Sequence, residues 1–250
     1  MVAAVLVSVI PNIAQAEPIA RASKLKGDLT ISAAASLTGA FSELAKQFGK
    51  VNKGVKVRFN FGSTATLVSQ IQSGAPSDVL ASADLSSIEK LVSSGNVVVA
   101  PEVFARNSMA IAVRRGNPKS VRTIRDLASL RFIALCGKTV PCGVYARSVL
   151  NRAGVVLDES KVTRGIDVKA TLSAVANGDA DAAIVYKTDV LAAKKTVFRI
   201  DIPSAQNVQA KYGIAPIRGS KNLSNSKAFI DFVLSERGLQ ILKSFGYQRP

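Results

Sequence analysis

Between residues 29 and 245, short apolar runs alternate with amphipathic segments that glycine closes, and this rhythm narrows the fold more than any other feature. Leu29-Thr30-Ile31 reads as a strand. Leu37, Phe41, Leu44 and Phe48 then recur at i, i+4, i+7 and i+11, one face of a helix that Gly49 ends. Val55, Val57, Phe59 and Phe61 alternate with Lys56, Arg58 and Asn60, as in a half-buried strand. Thr64 stands in a capping position for a helix that carries Leu67, Val68 and Ile71 and stops at Gly74. A strand over 78–82 precedes a helix marked by Leu85, Ile88 and Leu91 and closed by Gly95. The second half repeats the grammar, with strands at 109–113, 131–136, 182–186 and 198–202 and helices at 124–130, 145–153, 168–177, 227–236 and 239–245. A further strand at 212–217 is placed to return to the first half. Strands alternating with helices in this way predict an α/β fold with mainly parallel sheets. No long repeat or Pro-rich linker separates two independent domains. Two lobes crossed more than once by the chain are therefore expected, with strand ends and helix N-termini converging on a cleft between them.

The composition excludes several functions. The 250 residues contain no His, which removes Ser-His-Asp and Cys-His nucleophile systems and His-ligated metals. Two Cys cannot build a four-Cys zinc site or an iron–sulfur cluster. Aromatic residues make up 6% and Trp is absent, which argues against a base-stacking nucleic-acid platform. The net charge of +16 comes from scattered residues such as Lys24, Lys53, Arg58, Arg114, Arg131 and Lys194. No motif groups them with aromatics, so the excess reads as a solvated basic surface that mildly attracts anions or a membrane surface. An enzyme with Ser36 as nucleophile would need Lys as its base, and no Ser-x-x-Lys motif includes Ser36.

The first sixteen residues read as a signal peptide. Val2–Ile10 is a short apolar run, Pro11 breaks it, and Ala14-Gln15-Ala16 supplies a small-x-small cleavage pattern. No Lys or Arg precedes the run, and it is too short for a permanent membrane span. Export makes Cys136 and Cys142, in the stretch CGKTVPC, candidates for a structural disulfide, with two separate buried thiols as the other reading.

Four loops with small or hydroxyl residues stand directly before helices: Ala34-Ala35-Ser36, Gly62-Ser63-Thr64, Pro141-Cys142-Gly143 and Asp167-Val168. Each offers backbone N–H groups and the positive end of a helix dipole, so several turned toward one cleft would hold an anion without Lys or Arg. One alone is no more than an ordinary cap.

The runs AAASLT from Ala33, NFGSTATL from Asn60 and GAPSDVLASAD from Gly74 resemble the molybdate-binding proteins of ABC transporters. So do VPCGVYA from Val140, Asp167-Val168 and Ile184-Val185-Tyr186, in an order that holds from about residue 28 to 247. The resemblance implies a two-lobed type II periplasmic-binding-protein fold, with one lobe of residues 28–105 plus 213–250 and the other of 106–212. It implies a non-catalytic, monomeric, exported protein of the periplasm or cell envelope. Such a protein captures molybdate or tungstate without a cofactor and hands it to a membrane permease. Sulfate or another tetrahedral oxyanion is the alternative ligand. The family's binding positions fall on Ser36, Thr64, Cys142, Val168 and Tyr186, the hydroxyls of Ser36, Thr64 and Tyr186 donating beside backbone N–H groups. A donor-only set suits a fully deprotonated dianion and penalises hydrogen phosphate, whose proton needs an acceptor. Asp167 is the one acidic neighbour, and its direction decides whether the set stays free of acceptors.

Overall fold

The computed structural model describes residues 25–97 and 99–250; the signal segment at 1–16 lies outside them. Nine strands form one continuous mixed sheet with helices packed against it. The chain begins with β1 (Gly27–Ala34), a single 3₁₀ turn at Ala35–Leu37, α1 (Thr38–Val51), β2 (Val55–Gly62), α2 (Thr64–Gln72), β3 (Val79–Ser82) and α3 (Leu85–Ser93). There follow β4 (Glu102–Arg114), β5 (Ile133–Cys136), α4 (Pro141–Ala153), β6 (Val162–Gly165), α5 (Val168–Asn177), β7 (Ala182–Tyr186) and α6 (Lys187–Ala192). The chain closes with β8 (Val197–Asp201), β9 (Gln209–Pro216), α7 (Leu223–Leu234) and α8 (Glu236–Ser244).

The strand order is β2-β1-β3-β9-β4-β7-β5-β6, with β8 on the side of β4. The thirteen-residue β4 joins the two ends of this order. Its first part, Glu102–Ser108, pairs antiparallel with β9, whereas Met109–Arg114 pairs with β7 and β8. Strand β9 returns to the first half as expected and also pairs with β3. The prediction of mainly parallel pairing gives way here. β1 with β2 and β3, and β5 with β6 and β7, are parallel, but every pair that includes β4 or β9 is antiparallel. These two strands carry the chain between the halves in opposite directions, which forces that geometry.

The core follows the apolar spacing. Phe41, Phe48, Phe104 and Phe229 are buried and meet edge-on or tilted at 5.3–6.1 Å, which fixes α1 and α7 against β4. Burying such side chains stabilises by roughly 1.5–3 kcal/mol each. Gly49 does not end α1. The helix runs on to Val51, because a glycine inside an exposed final turn costs only about 1 kcal/mol. Helix α4 starts at Pro141, not at 145, because proline at the first helical position fits a fixed φ and needs no N–H. Strand β6 and helix α6 have no counterpart in the sequence pattern.

Candidate functional site

Five helical starts meet at one place. Ala34 precedes the 3₁₀ turn, and Ser63, Val140, Asp167 and Tyr186 are the N-caps of α2, α4, α5 and α6. All five residues line a single cavity of about 20 Å³, together with Ser36, Thr64, Cys142 and Val168. The volume is on the scale of a small ion. First-turn N–H groups have no acceptor within their own helix, so the cavity wall is a shell of donors at positive dipole ends. The five positions singled out in the sequence, Ser36, Thr64, Cys142, Val168 and Tyr186, all stand on this wall.

The hydroxyl groups are set as donors. Thr64 is not the cap of α2; Ser63 takes that role, its Oγ accepting from Thr66 N–H at 3.2 Å. Thr64 Oγ1 instead accepts from the Ala83 backbone N–H at 3.1 Å, which leaves its own O–H free to donate. Ser36 Oγ lies 3.0 Å from the Tyr212 hydroxyl. Asn107 Nδ2 donates to that same Tyr212 oxygen at 3.4 Å; with the Tyr212 proton directed to Ser36, the Ser36 proton is free for a ligand, and either hydroxyl of that pair can serve as the donor. Tyr247 O–H donates to the Ser36 carbonyl at 2.8 Å and fixes the turn. Asp167, which also lines the cavity, caps its own helix, its carboxylate accepting from Ala170 N–H at 2.9 Å.

Tyr186 differs from all of these. It is 1% exposed, and its hydroxyl is buried with no hydrogen-bond partner. An orphaned buried hydroxyl costs about 1–3 kcal/mol, a penalty that a ligand acceptor would relieve. Burial, then repulsion from Tyr145, Asp84 and Asp189, pushes its phenol well above the ordinary range, so it keeps its proton. Tyr145, Tyr186, Tyr212 and Tyr247 are all the tyrosines of the chain, and successive ring centres lie 6.3, 5.8 and 5.4 Å apart. Sequence reasoning found only Tyr186 among them.

Cys142 is the second residue of α4 and is bonded to Cys136 at the end of β5, with Cα atoms 5.8 Å apart. The next residue must be glycine, since a Cβ at Gly143 would run into the Gly137 carbonyl oxygen. For a separation of six residues the chain-entropy account gives the bridge about 2 kcal/mol. Reduction is therefore expected to lower the melting temperature modestly and to loosen whatever the Cys142 N–H holds. Melting curves with and without a thiol reductant, alongside a ligand titration, check both; an unchanged affinity on reduction contradicts the second.

Behind the cavity sits a fully buried acid, Asp189, whose Oδ1 is 3.3 Å from the Lys169 ammonium; neither carboxylate oxygen has an aligned hydrogen-bond donor. Burial pushes its pKa from 3.8 to about 6, with Lys169 drawing it back down.

The model of the bacterial extracellular solute-binding protein family matches residues 29–248. The chain belongs to that family. The molybdate-binding protein ModA of Mycobacterium tuberculosis strain H37Rv is 33% identical over 223 residues, which cover 89% of this chain and 85% of that protein. The periplasmic molybdate-binding protein of Azotobacter vinelandii superposes with a TM-score of 0.80 at 23% identity, over 89% of this chain and 99% of that one. The sulfate-binding protein SubI of M. tuberculosis superposes with the same TM-score at 18% identity, over 89% of this chain and 86% of that one. This solute-binding protein thus has the periplasmic-binding-protein fold. No helix among its described residues is long and apolar enough to cross a membrane.

Proposed function

We propose that this solute-binding protein captures molybdate, or tungstate, and delivers it to the permease of an ABC transporter. Ser36, Thr64, Cys142, Val168 and Tyr186 are its ligands in this reading, the protein acting as an exported monomer without catalysis. The two lobes in this reading are residues 28–105 plus 213–250 and residues 106–212. The observation that carries the reading is the unpartnered Tyr186 hydroxyl in the wall of a small cavity built from helix starts. No Lys or Arg lines that cavity, so an anion there is held by neutral donors and no buried ion pair has to be desolvated. A dianion with acceptors only fits such a wall; hydrogen phosphate leaves a proton facing donors. The kinship with molybdate-binding proteins supports the choice of ion.

Sulfate is the second reading, since the same donors serve it and only the cavity radius separates the two ions. A calorimetric titration with molybdate, tungstate, sulfate and phosphate decides. Molybdate and tungstate are expected to bind and to stabilise the protein, by about 4 kcal/mol at a thousandfold excess over Kd. Phosphate is expected to do neither, and equal stabilisation by phosphate overturns the reading.

A further inference from the structure

The excess of basic charge has no part in a cavity made of neutral donors. Some of it gathers where the sheet ends away from that cavity. Strand β8 lies on the side of β4 with Phe198 opposite Val113 and Arg199 opposite Ala112. Phe198 is 55% exposed, and Leu191 at the end of α6 is 40% exposed. Lys194 and Lys195 follow α6 after its C-cap Ala193, and the Arg115 guanidinium donates to the Lys194 carbonyl at 3.0 Å. These three residues are exposed and make no ion pair among the described residues. The acid beside them, Asp201, is shared by Lys187 and Arg199, each at 3.3 Å. Bulky apolar side chains thus stand among three cations, Arg115, Lys194 and Lys195, that nothing local neutralises.

We propose that this patch of Arg115, Leu191, Lys194, Lys195, Phe198 and Arg199 docks the protein on the anionic lipid surface of a membrane. A leaflet rich in acidic headgroups complements the charge, and its interfacial layer accepts an aromatic ring and a leucine. Position favours lipid over the permease. Met109 pairs with Tyr186 at the cavity, and Val113, opposite Phe198, lies four residues farther along β4, about 13 Å. Helix α6 likewise starts at Tyr186 and runs toward the lysines. A surface held there leaves the cavity uncovered for a partner that receives the ion. The inference does not depend on which ion the cavity holds.

The test is co-sedimentation of the full mature chain with vesicles of phosphatidylcholine alone or mixed with phosphatidylglycerol. The parent is expected to bind only the mixed vesicles, and less at high salt. Lys194→Glu/Lys195→Glu is expected to weaken binding about 30-fold or more. Lys50→Glu/Lys53→Glu, with the same change in net charge at the exposed end of α1, is expected to cost only a few-fold. Phe198→Ser is expected to weaken binding at high and low salt alike. Melting curves show that each variant is folded. A parent that stays in solution, equal losses for the two charge reversals, or an unaltered Phe198→Ser each overturns the proposal. A parent that sediments as a dimer dissociated by Phe198→Ser also overturns it, and assigns the patch to a second copy of the chain.

Discussion

Tyr186→Phe is expected to weaken molybdate binding about 10- to 150-fold while the unliganded protein melts no lower than the parent. The ring keeps its edge contacts to Tyr145 and Tyr212, so packing is preserved. The hydroxyl has no partner to lose inside the protein, so deleting it removes a buried orphan without breaking a bond. A hydrogen bond to a charged acceptor is worth roughly 1.5–3 kcal/mol, which sets the loss in affinity. The two halves of the result point in opposite directions, which separates a ligand residue from a structural one. A purely structural tyrosine gives lower stability with parental affinity. Calorimetry and a melting curve on the same sample read both, and parental affinity removes Tyr186 from the ligand set.

Asp189→Asn is expected to match the parent in stability near pH 4 and to exceed it by about 3 kcal/mol near pH 8. Burial holds the Asp189 carboxyl at about 6 in the folded protein against 3.8 unfolded, so the native state binds this proton more tightly. The stability that the proton contributes is complete below pH 4 and is lost as the pH rises through 6. A difference of roughly two pKa units corresponds to about 3 kcal/mol, and asparagine keeps the shape without ionising. Asp126, half-buried, and Asp158 and Glu159, exposed, are held below their ordinary values by hydrogen bonds, so they act in the opposite direction. They are present in both proteins and drop out of the comparison. Denaturant unfolding at several pH values measures it; a gap between the two proteins that stays constant with pH contradicts the assignment.

Much of the fold was legible because glycine and periodicity mark boundaries in the chain itself. Helix α5 and strand β7 fall where the pattern places them, since Asp167 caps one end, Gly178 with φ +89° closes the other, and AAIVY is wholly buried. The strand segments that were missed depend on long-range pairing. Glu102–Ser108 becomes strand only because β9 returns beside it, and Val162–Gly165 only because β5 offers a parallel edge. At the site, the helix starts could be read from Ser, Pro, Gly and Asp in the loops. The partners whose hydrogen bonds orient Ser36 and Thr64 could not, since Tyr212 and Ala83 lie 176 and 19 residues away along the chain.

The strand β4 has a practical consequence for protein engineering. Because one uninterrupted strand supplies pairing partners to both parts of the sheet, neither part is a module that can be cut out and expressed alone. A gene fragment ending near Ser108 would leave β3 and Glu102–Ser108 without β9, and a fragment starting there would strip β9 of both its partners. Each would expose a raw edge open to aggregation. A reporter is better inserted at the turn Gly116-Asn117, where both residues already adopt positive φ and the chain leaves β4 for the surface.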